Sequence, residues 1–276
     1  MNVEELLVYG KSYIHSDHAK LLLADLLNLN PLELLNHLED NVEISLCEKY
    51  KREVEAVKSN IPLQYVIGSV NFYGNNFVVD NRVLIPRFET EELVENTIKY
   101  IEKNFKNEDV NILDLCCGSG VIGLTLKQKL PFCSVDLSDI SKDALDVASI
   151  NANNLNLDVN LIEGDLFSNI NSKYNVIISN PPYIAENEEI EQIVYDNEPH
   201  IALYGGQDGL DYYRKIISKI KNYLKEDFLV AFEIGYQQKD AIINIIKSEM
   251  SNVNIEVKKD LSMRNRMIFI KSVNKI

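Results

Sequence analysis

Four residues, Asn180-Pro181-Pro182-Tyr183, follow the apolar segment Tyr174–Ser179 and combine an amide side chain, two prolines and an aromatic ring. Each proline fixes its own φ and lacks an N–H donor, so the backbone here offers rigid carbonyl acceptors. A planar –NH2 group could donate one hydrogen to the Asn180 side-chain oxygen and the other to the Pro181 carbonyl, with Tyr183 covering its face.

Accepting both N–H bonds raises the electron density on a nitrogen that attacks a methyl group, and it stabilises the positive charge that develops. Residues 180–183 therefore predict methyl transfer to an amide or an aryl amine, without a metal or a strong base. A Pro-Pro loop that only ends a strand is the alternative.

A glycine-rich turn, from Asp114 to Gly120, joins another strand candidate to a helix that opens at Val121. Such a turn lets a ligand approach the backbone, and the first N–H groups of the helix are unpaired. Gly120 and Gly123 have the spacing of the last two glycines of a dinucleotide fingerprint, but Cys116 stands where the first glycine belongs. Because a pyrophosphate needs all three glycines, the turn favours S-adenosylmethionine. A tight turn without a ligand also fits.

A carboxylate that meets a ribose diol is expected about 20 residues beyond such a turn. Asp139 lies 19 positions beyond Gly120, at the end of the next predicted strand. Asp136 is its rival but falls inside that strand, so Asp139 is the preferred ribose ligand. Asp165, followed by Leu166, comes after the third predicted strand and could meet an adenine ring or be a simple loop carboxylate.

These motifs belong to a region in which strands and helices alternate. The predicted strands are Val110–Cys116, Cys133–Asp139, Val159–Glu163, Tyr174–Ser179, Phe228–Glu233, Asn254–Lys258 and Met267–Lys271. The predicted helices are Val121–Leu130, Asp143–Leu155, Leu210–Leu224 and Lys239–Met250. Alternation of this kind predicts a doubly wound, mainly parallel sheet. The fourth strand then lies beside the first across the switch point where ligands bind, so residues 180–183 should face the glycine turn.

The first sixty residues have a helical pattern instead. Leucines recur at helical spacing after Ser16-Asp17, which predicts a capped helix. Asn30-Pro31 restarts the pattern, with Asn30 as N-cap and Pro31 at the first helical position. A third helix is predicted from Ser45 to Val57.

Residues 63–85 change to alternating apolar and polar positions around the turn signal Gly74-Asn75-Asn76, which predicts a β-hairpin. We therefore predict three parts: a helical N-terminal substrate-recognition domain at 1–70, a hairpin linker at 71–85 and a methyltransferase domain at 86–276.

Together these segments resemble the HemK-type release-factor glutamine methyltransferases over nearly the whole chain. The Asn-Pro-Pro-Tyr signature alone is shared with adenine amino-methyltransferases of DNA. The more specific segments are Leu63–Gly68, Phe72–Gly74, Val83–Glu91 and the motif residues between Glu198 and Leu210.

The resemblance implies methyl transfer from S-adenosylmethionine to the glutamine amide nitrogen in the Gly-Gly-Gln motif of peptide chain release factors. It implies a Rossmann-like class I methyltransferase fold, whose mainly parallel seven-stranded sheet has an antiparallel last strand, with a small all-helical N-terminal domain joined by a β-hairpin. The expected catalytic residues are Asn180, Pro181, Pro182 and Tyr183. With the aspartates argued above, the expected cofactor-binding residues are Asp114, Cys116, Cys117, Gly118, Ser119, Gly120, Asp139, Asp165, Leu166 and Asn180.

The sequence departs from the family pattern in two places. Cys116-Cys117 stands where the family often has Gly-Thr, and we expect a slightly tighter loop that still exposes its glycine backbone. Phe88 stands where the family usually has proline, which leaves the shape around Arg87 open. Arg87 and Glu89 could be site residues or an interdomain ion pair.

Composition narrows the alternatives. The 276 residues carry a formal net charge of −14, which opposes binding to nucleic acid unless a local basic patch is present. The charge therefore favours a protein substrate with a basic docking surface over DNA. A ribosomal-protein glutamine methyltransferase is a close alternative. A non-catalytic binding module is disfavoured, because it would not need the acceptor clamp, the Asn180 side-chain oxygen and the Pro181 carbonyl that together accept from a substrate –NH2 group.

Other absences in the sequence set further expectations. The four cysteines include no C-x-x-C pair and the four histidines are scattered, so no metal site is expected. The acidic N-terminus does not resemble a signal peptide, and no apolar stretch approaches the roughly 20 residues that span a bilayer. We expect a cytoplasmic protein without membrane contact, and a monomer.

Overall fold

The structure is a computed structural model that describes residues 1–105 and 109–273. The described chain divides into two units. The first unit contains residues 1–70 and 190–197, and the second contains residues 71–189 and the chain from 198 onward. The first unit is helical, and the second contains a seven-stranded sheet.

The secondary structure follows the chain in this order. The helices are α1 Val3–Lys11, α2 Ser16–Leu26, α3 Ile44–Lys58, α4 Leu63–Ile67, α5 Phe88–Asn104, α6 Val121–Lys129, α7 Lys142–Asn154, α8 Gln192–Asn197, α9 Asp211–Ile220 and α10 Lys239–Glu249. The strands are β1 Ser69–Phe72, β2 Asn75–Val78, β3 Asn111–Leu115, β4 Ser134–Asp139, β5 Asn160–Glu163, β6 Tyr174–Ser179, β7 Leu224–Glu233, β8 Val253–Lys259 and β9 Asn265–Ser272. Short 3-10 helices span Glu33–His37, His200–Ala202 and Lys221–Tyr223.

The core of the first unit forms between the apolar faces of α1, α2 and α3. Its fully buried side chains include Leu6, Leu22, Leu23, Leu34 and Tyr50. A capping box starts α1, because the Asn2 side chain accepts from the Glu5 N–H at 2.8 Å and the Glu5 carboxylate accepts from the Asn2 N–H at 3.1 Å.

Two predicted helix starts in the first unit differ in detail. Helix α2 forms as expected, but its N-cap is His15, whose Nδ1 accepts from the Asp17 N–H at 3.3 Å. The helix predicted to begin at Pro31 was wrong: Asn30 closes a turn by accepting from the Leu32 N–H at 2.9 Å, and only the 3-10 helix Glu33–His37 follows. That single turn is enough to bury its one core residue, Leu34.

Gly10 is a point of close approach between α1 and its neighbours in the first unit. A Cβ at this position would lie 2.1 Å from the Tyr50 hydroxyl oxygen and 2.9 Å from the Ala19 Cβ. The same hydroxyl donates to the Ala19 carbonyl at 3.0 Å, so Tyr50 has no room to retreat without breaking a buried hydrogen bond. Gly10 therefore fixes the packing of α1 on its neighbours.

We expect Gly10→Ala to lower the free energy of unfolding of the first unit by about 1–3 kcal/mol, the usual effect of overpacking a core. Urea denaturation followed by circular dichroism measures the change. The control is Val8→Ala on the same helix, since Val8 is 61% exposed and its replacement should stay within about 0.5 kcal/mol. Equal stability of the two variants would contradict the packing argument.

The segment after Pro62 is part helix and part hairpin. The alternating pattern predicted for residues 63–85 was wrong at its start, where α4 forms and ends at Gly68 with a φ of 82°. The predicted hairpin is present as β1 and β2, with a two-residue turn at Tyr73 and Gly74. Both turn residues have positive φ, 50° and 83°, as a type I′ turn requires.

The main sheet has the strand order β5-β4-β3-β6-β7-β9-β8. Strands β3 to β7 pair in parallel, whereas β9 pairs antiparallel with both β7 and β8. The predicted mainly parallel seven-stranded sheet with an antiparallel last strand is confirmed. Strand β6 lies beside β3, as expected for a fourth strand across the switch point.

The centre of the sheet is buried on both faces, which explains the sequence of β6. All six of its residues are buried, as is typical of a central parallel strand covered by helices. In the second unit, α5 was not predicted, and β7 begins at Leu224, four residues before the predicted start. The strand extends because the predicted helix before it ends early, at Ile220, and a 3-10 turn follows.

Candidate active site

A cleft opens at the carboxyl ends of β3, β4 and β6, where the strand order changes direction. The space between its walls is about 960 Å³ with the solvent-open part included. The loops after β3, β4, β5 and β6 form its walls, together with parts of the segments 82–90 and 199–202 and the ring of Tyr212. The glycine turn and the Asn-Pro-Pro-Tyr segment therefore face one cleft, as the sequence indicated.

The loop after β3 exposes its backbone to this cleft. Cys116, Gly118 and Gly120 all have positive φ, of 62°, 54° and 79°. A Cβ at Gly118 would meet no atom within 4 Å, so the cleft reaches the main chain there. Cys116 holds a left-handed conformation that favours glycine, the residue that the dinucleotide fingerprint has at this position.

The two thiols of this loop are structural rather than reactive. Cys116 and Cys117 both line the cleft, as does Ser119, whereas Gly120 sits beneath the loop as the N-cap of α6. Burial raises the pKa of both thiols, with the nearby aspartates adding to the shift, so both cysteines are neutral at pH 7.

Asp139 connects the loops after β3 and β4. Its Oδ2 accepts from the Gly118 N–H at 2.9 Å, and its Oδ1 accepts from the Ser141 N–H at 2.9 Å. It lines the cleft, and burial raises the pKa of its carboxyl above the usual value. Asp136, the rival candidate, instead accepts from the Tyr174 hydroxyl at 2.6 Å. The structure thus places Asp139 on the cleft wall and gives Asp136 a partner elsewhere.

The loop after β5 brings two more predicted residues to the cleft. Asp165 and Leu166 both line it, next to Gly164. The Gly164 N–H donates to the Asp139 carbonyl at 2.9 Å, which fixes this loop against the end of β4. The loops after three adjacent strands therefore lie side by side.

Asp114 occupies a different position from the other predicted cofactor residues. It is fully buried beneath the glycine loop and is not part of the cleft wall. Its Oδ2 accepts from the Gly123 N–H at 2.8 Å, while its Oδ1 has no hydrogen-bond partner among the described residues. Burial raises the pKa of Asp114 to about 7. Asp114 therefore holds the start of α6 from below.

We expect Asp114 to make stability fall as the pH rises. Its folded pKa of about 7 lies above the unfolded value of 3.8, so the folded state binds more protons between these values and the free energy of unfolding decreases as pH rises through this range. Asp114→Asn should reduce that slope, measured by urea midpoints at several pH values between about 5 and 8. The control, Asp158→Asn at an exposed position, should keep the wild-type slope. An unchanged slope in Asp114→Asn would count against this assignment.

Asn180 lies at the other end of the cleft, directly after β6. It lines the cleft together with Pro182. Its Nδ2 lies 3.4 Å from the Thr90 Oγ1, and Thr90 donates to the Glu233 Oε2 at 2.7 Å. Burial raises the pKa of Glu233 to about 7. The amide of Asn180 is therefore held from behind by two buried side chains.

The other two residues of the segment 180–183 have mainly structural contacts. Pro181 is buried, and the partly buried Tyr183 packs against the main core of the second unit. The Tyr183 carbonyl accepts from the Gln238 Nε2 at 2.8 Å. Neither residue lines the cleft.

Arg87 lines the cleft and also forms an ion pair with Glu198. Its Nη2 lies 2.6 Å from Oε1 of Glu198, a buried carboxylate that also accepts from the Ile85 N–H at 3.0 Å. Both members of the pair belong to the second unit, so the alternative of an interdomain pair with Arg87 was wrong. Phe88, beside it, is 61% exposed.

Sequence reasoning did not assign several residues of this site. Thr90, Glu233 and Tyr212 had no predicted role, and Glu198 was noted only as part of a motif. A signal existed for Glu233, because a carboxylate that ends an apolar central strand must lie at the ligand-binding edge of a parallel sheet. Thr90 gave no such signal, since α5 itself was not predicted.

The described ranges, 1–105 and 109–273, contain neither a candidate metal site nor a candidate membrane span. No group of three or more His, Cys, Asp or Glu side chains is placed to hold a metal ion. No helix in these ranges has both the length and the apolar character needed to cross a membrane.

The cleft fits S-adenosylmethionine by the chemistry of its walls. The open backbone at Gly118 admits a ligand to the main chain, and each Asp139 oxygen keeps a lone pair for a ribose hydroxyl. The apolar side chains of Ile140 and Leu166 can cover an adenine. Fold and cleft together define a class I methyltransferase, an enzyme whose methyl donor is S-adenosylmethionine.

Comparisons with known proteins narrow this class. A family described as "Methyltransferase small domain" matches residues 90–197, and one described as "PrmC N-terminal domain" matches residues 13–68. The chain is 34% identical to the release factor glutamine methyltransferase of Bacillus anthracis over 98% of this chain and 99% of that protein. It is 36% identical to the protein of the same name from Streptococcus pneumoniae, over 97% of this chain and 94% of that one. The chain belongs to the release factor glutamine methyltransferase family.

Similarity to solved structures supports the fold. A methyltransferase from Pyrococcus furiosus superimposes with a TM-score of 0.53 at 14% identity, covering 72% of this chain and 89% of that one. At this identity the match supports the sheet and its helices, and the family assignment rests on the sequence relatives.

Proposed function

We propose that this protein transfers a methyl group from S-adenosylmethionine to the side-chain amide nitrogen of the glutamine in the Gly-Gly-Gln motif of peptide chain release factors. The observation that carries the proposal is Asn180, an amide at the cleft wall whose nitrogen side is occupied by Thr90. Family membership supports the choice of substrate.

The cofactor end of the site binds and orients the donor. We propose that the predicted loop residues 116–120, Asp139 and the pair Asp165 and Leu166 hold it, with Asp139 accepting from the ribose hydroxyls. Asp114 acts from beneath by fixing the start of α6. When bound, S-adenosylmethionine supplies an electrophilic methyl group on a sulfonium.

The acceptor end orients the glutamine amide. The Asn180 side-chain oxygen accepts one N–H of the substrate –NH2 group, and the main-chain carbonyl of Pro181, which lies between the cleft-lining residues Asn180 and Pro182, accepts the other. This pair directs the substrate nitrogen toward the donor. These bonds raise the electron density on that nitrogen and stabilise its developing positive charge. The nitrogen releases one proton to water as the new N–C bond forms, so no strong base is required of the chain.

We propose roles for the three predicted parts of the chain on the same basis. Residues 1–70 recognise the substrate protein, residues 71–85 link this part to the methyltransferase domain, and residues 86–276 carry out the methyl transfer. The match of a separate N-terminal family to residues 13–68 supports a distinct role for that segment. We further propose a cytoplasmic monomer that does not bind nucleic acid directly.

Incubation with methyl-labelled S-adenosylmethionine and purified release factors, ribosomal proteins or DNA tests the proposal. We expect label on the release factor, at the glutamine of its Gly-Gly-Gln motif, and none on a release factor in which that glutamine is alanine. Label on a ribosomal protein alone would move the substrate to that class, and label on DNA alone would overturn the proposal.

The net charge of −14 gives this reaction an expected salt dependence. A basic docking surface on the release factor would be attracted to the acidic enzyme, and added salt would screen that attraction. Methylation at substrate concentrations below KM should therefore slow as ionic strength rises. A rate independent of salt would contradict a basic docking surface.

A further inference from the structure

We infer that Glu233, acting through the Thr90 hydroxyl, sets the orientation of the Asn180 side-chain amide so that its oxygen faces the cleft. Glu233 and Thr90 are then positioning residues for the acceptor clamp. The inference rests on the proposed function, since it concerns the oxygen that receives the substrate N–H.

The three side chains come from three elements that the fold brings to one point. Strands β6 and β7 pair in register with Ser179 opposite Phe232, so the next residues, Asn180 and Glu233, lie side by side at the sheet edge. Thr90 reaches them from the first turn of α5. Thr90 and Glu233 are 3% and 1% exposed, so water does not replace their mutual contacts.

The hydrogen bonds have a direction because each group has a fixed number of protons. An ionised carboxylate only accepts, so the 2.7 Å contact requires Thr90 to donate its single hydroxyl proton to Glu233. Thr90 can then only accept from Asn180. The Asn180 nitrogen must therefore point toward Thr90, at 3.4 Å, and its oxygen must point away from it.

The amide of asparagine is nearly symmetrical in shape, so only its partners decide which end faces the substrate. With the oxygen toward the cleft, Asn180 accepts from the substrate –NH2 group. With the nitrogen toward the cleft, two donors would meet and the clamp would repel its substrate. The carboxylate at the far end of this chain of hydrogen bonds thus determines whether the clamp works.

Protonation of Glu233 would remove the directing effect. A neutral carboxyl can donate to Thr90, which frees the Thr90 proton to donate to the Asn180 oxygen and reverse the amide. Burial raises the pKa of Glu233 to about 7, and Glu89 adds to the rise, whereas the Thr90 hydrogen bond, Arg266 and a direct hydrogen bond from the Asn180 side chain act to lower it. The direct bond holds the Asn180 nitrogen on the same side as Thr90 does. The titratable or charged groups that face it are Glu89, Tyr183, Tyr213 and Arg266.

Thr90→Val is the main test, since it keeps the side-chain shape and removes the hydroxyl. We expect kcat to fall on the order of 10- to 100-fold, the usual effect of losing one organising hydrogen bond, with the Kd for S-adenosylmethionine unchanged. Thr90→Ser should restore most of kcat. The matched control is Thr97→Val on the same helix, a fully buried threonine that donates to the Leu93 carbonyl and should keep wild-type kcat.

The pH profile separates positioning from a purely structural role. The wild-type kcat should fall as the pH is lowered through about 7, and Glu233→Gln should lose this acid limb together with much of its activity at high pH. Wild-type kcat in Thr90→Val, or an acid limb retained in Glu233→Gln, would overturn the inference.

A measurement on the protein alone keeps this test independent of the proposed substrate. The Asn180 side-chain –NH2 signals can be identified in nitrogen-15 NMR spectra by their loss in Asn180→Asp. We expect slowed hydrogen exchange of this –NH2 group in the wild type and faster exchange in Thr90→Val. Equal exchange in both would refute the network even if release factors are methylated, whereas a protected amide without methylation would contradict only the proposed function.

Discussion

Replacing Asn180 by alanine should strongly reduce the rate of methyl transfer while leaving the affinity for S-adenosylmethionine nearly unchanged. The variant loses the side-chain oxygen that accepts from the substrate –NH2 group, an interaction that strengthens as positive charge develops on nitrogen. Loss of one such preorganised group lowers kcat by about 100- to 1,000-fold in comparable sites. Single-turnover rates and isothermal titration calorimetry separate the two effects.

Asn187→Ala provides the matched control for this variant. Asn187 is exposed and follows seven residues later, in the second unit like Asn180. It should keep wild-type rates. Turnover retained in Asn180→Ala would contradict the role of the Asn180 side chain, because the Pro181 carbonyl alone would then be sufficient to hold the substrate amide.

Asp139→Ala should weaken binding of S-adenosylmethionine by roughly 10- to 100-fold, as expected for a lost hydrogen bond to a charged group. The carboxylate is the proposed ribose ligand, and it also accepts from the Gly118 and Ser141 N–H groups. The alanine variant therefore loses both the ligand contact and the tie between two loops. Calorimetry on the folded variant measures the change in Kd.

Asp136→Ala is the control that the strand itself offers. Asp136 lies three residues earlier in β4 and accepts from the Tyr174 hydroxyl, so its loss should affect stability more than cofactor affinity. The opposite outcome, with affinity unchanged in Asp139→Ala and reduced in Asp136→Ala, would transfer the ribose role to Asp136.

The adjacency of the two halves of the site could be predicted because it depends on strand order alone. Residues after the first and fourth strands of a doubly wound sheet meet at the switch point, whatever their side chains. The apolar run of β6 and the glycines after β3 were therefore enough to place Asn180 opposite Gly118.

Side-chain roles within the site were harder to predict. The position of Asp114 beneath the loop depends on its contact with Gly123, nine residues away, and no local pattern shows which way a carboxylate at a strand end will face. The orientation of Tyr183 likewise depends on core residues distant in sequence. Arg87 finds its partner 111 residues away at Glu198, a separation that spacing arguments cannot reach.

Local competition explains the errors near the N-terminus. The segment 63–67 alternates like a strand, yet it forms α4 because Gly68 can end a helix in the left-handed conformation. The segment after Pro31 has helical leucine spacing, yet one 3-10 turn buries its core residue. A helix-ending glycine decided the first case, and burial of Leu34 decided the second.

The first unit is assembled from two separate stretches of chain, 1–70 and 190–197. The chain passes from the second unit into the second stretch shortly after Asn180. It re-enters the second unit at Glu198, the partner of Arg87 in the cleft wall. A single proteolytic cut near residue 70 therefore cannot release the helical unit as an intact module, because residues 190–197, which include α8, also belong to it. Exchange of this helical unit between relatives requires two grafts, and the second of them lies in the segment that joins Asn180 to Glu198.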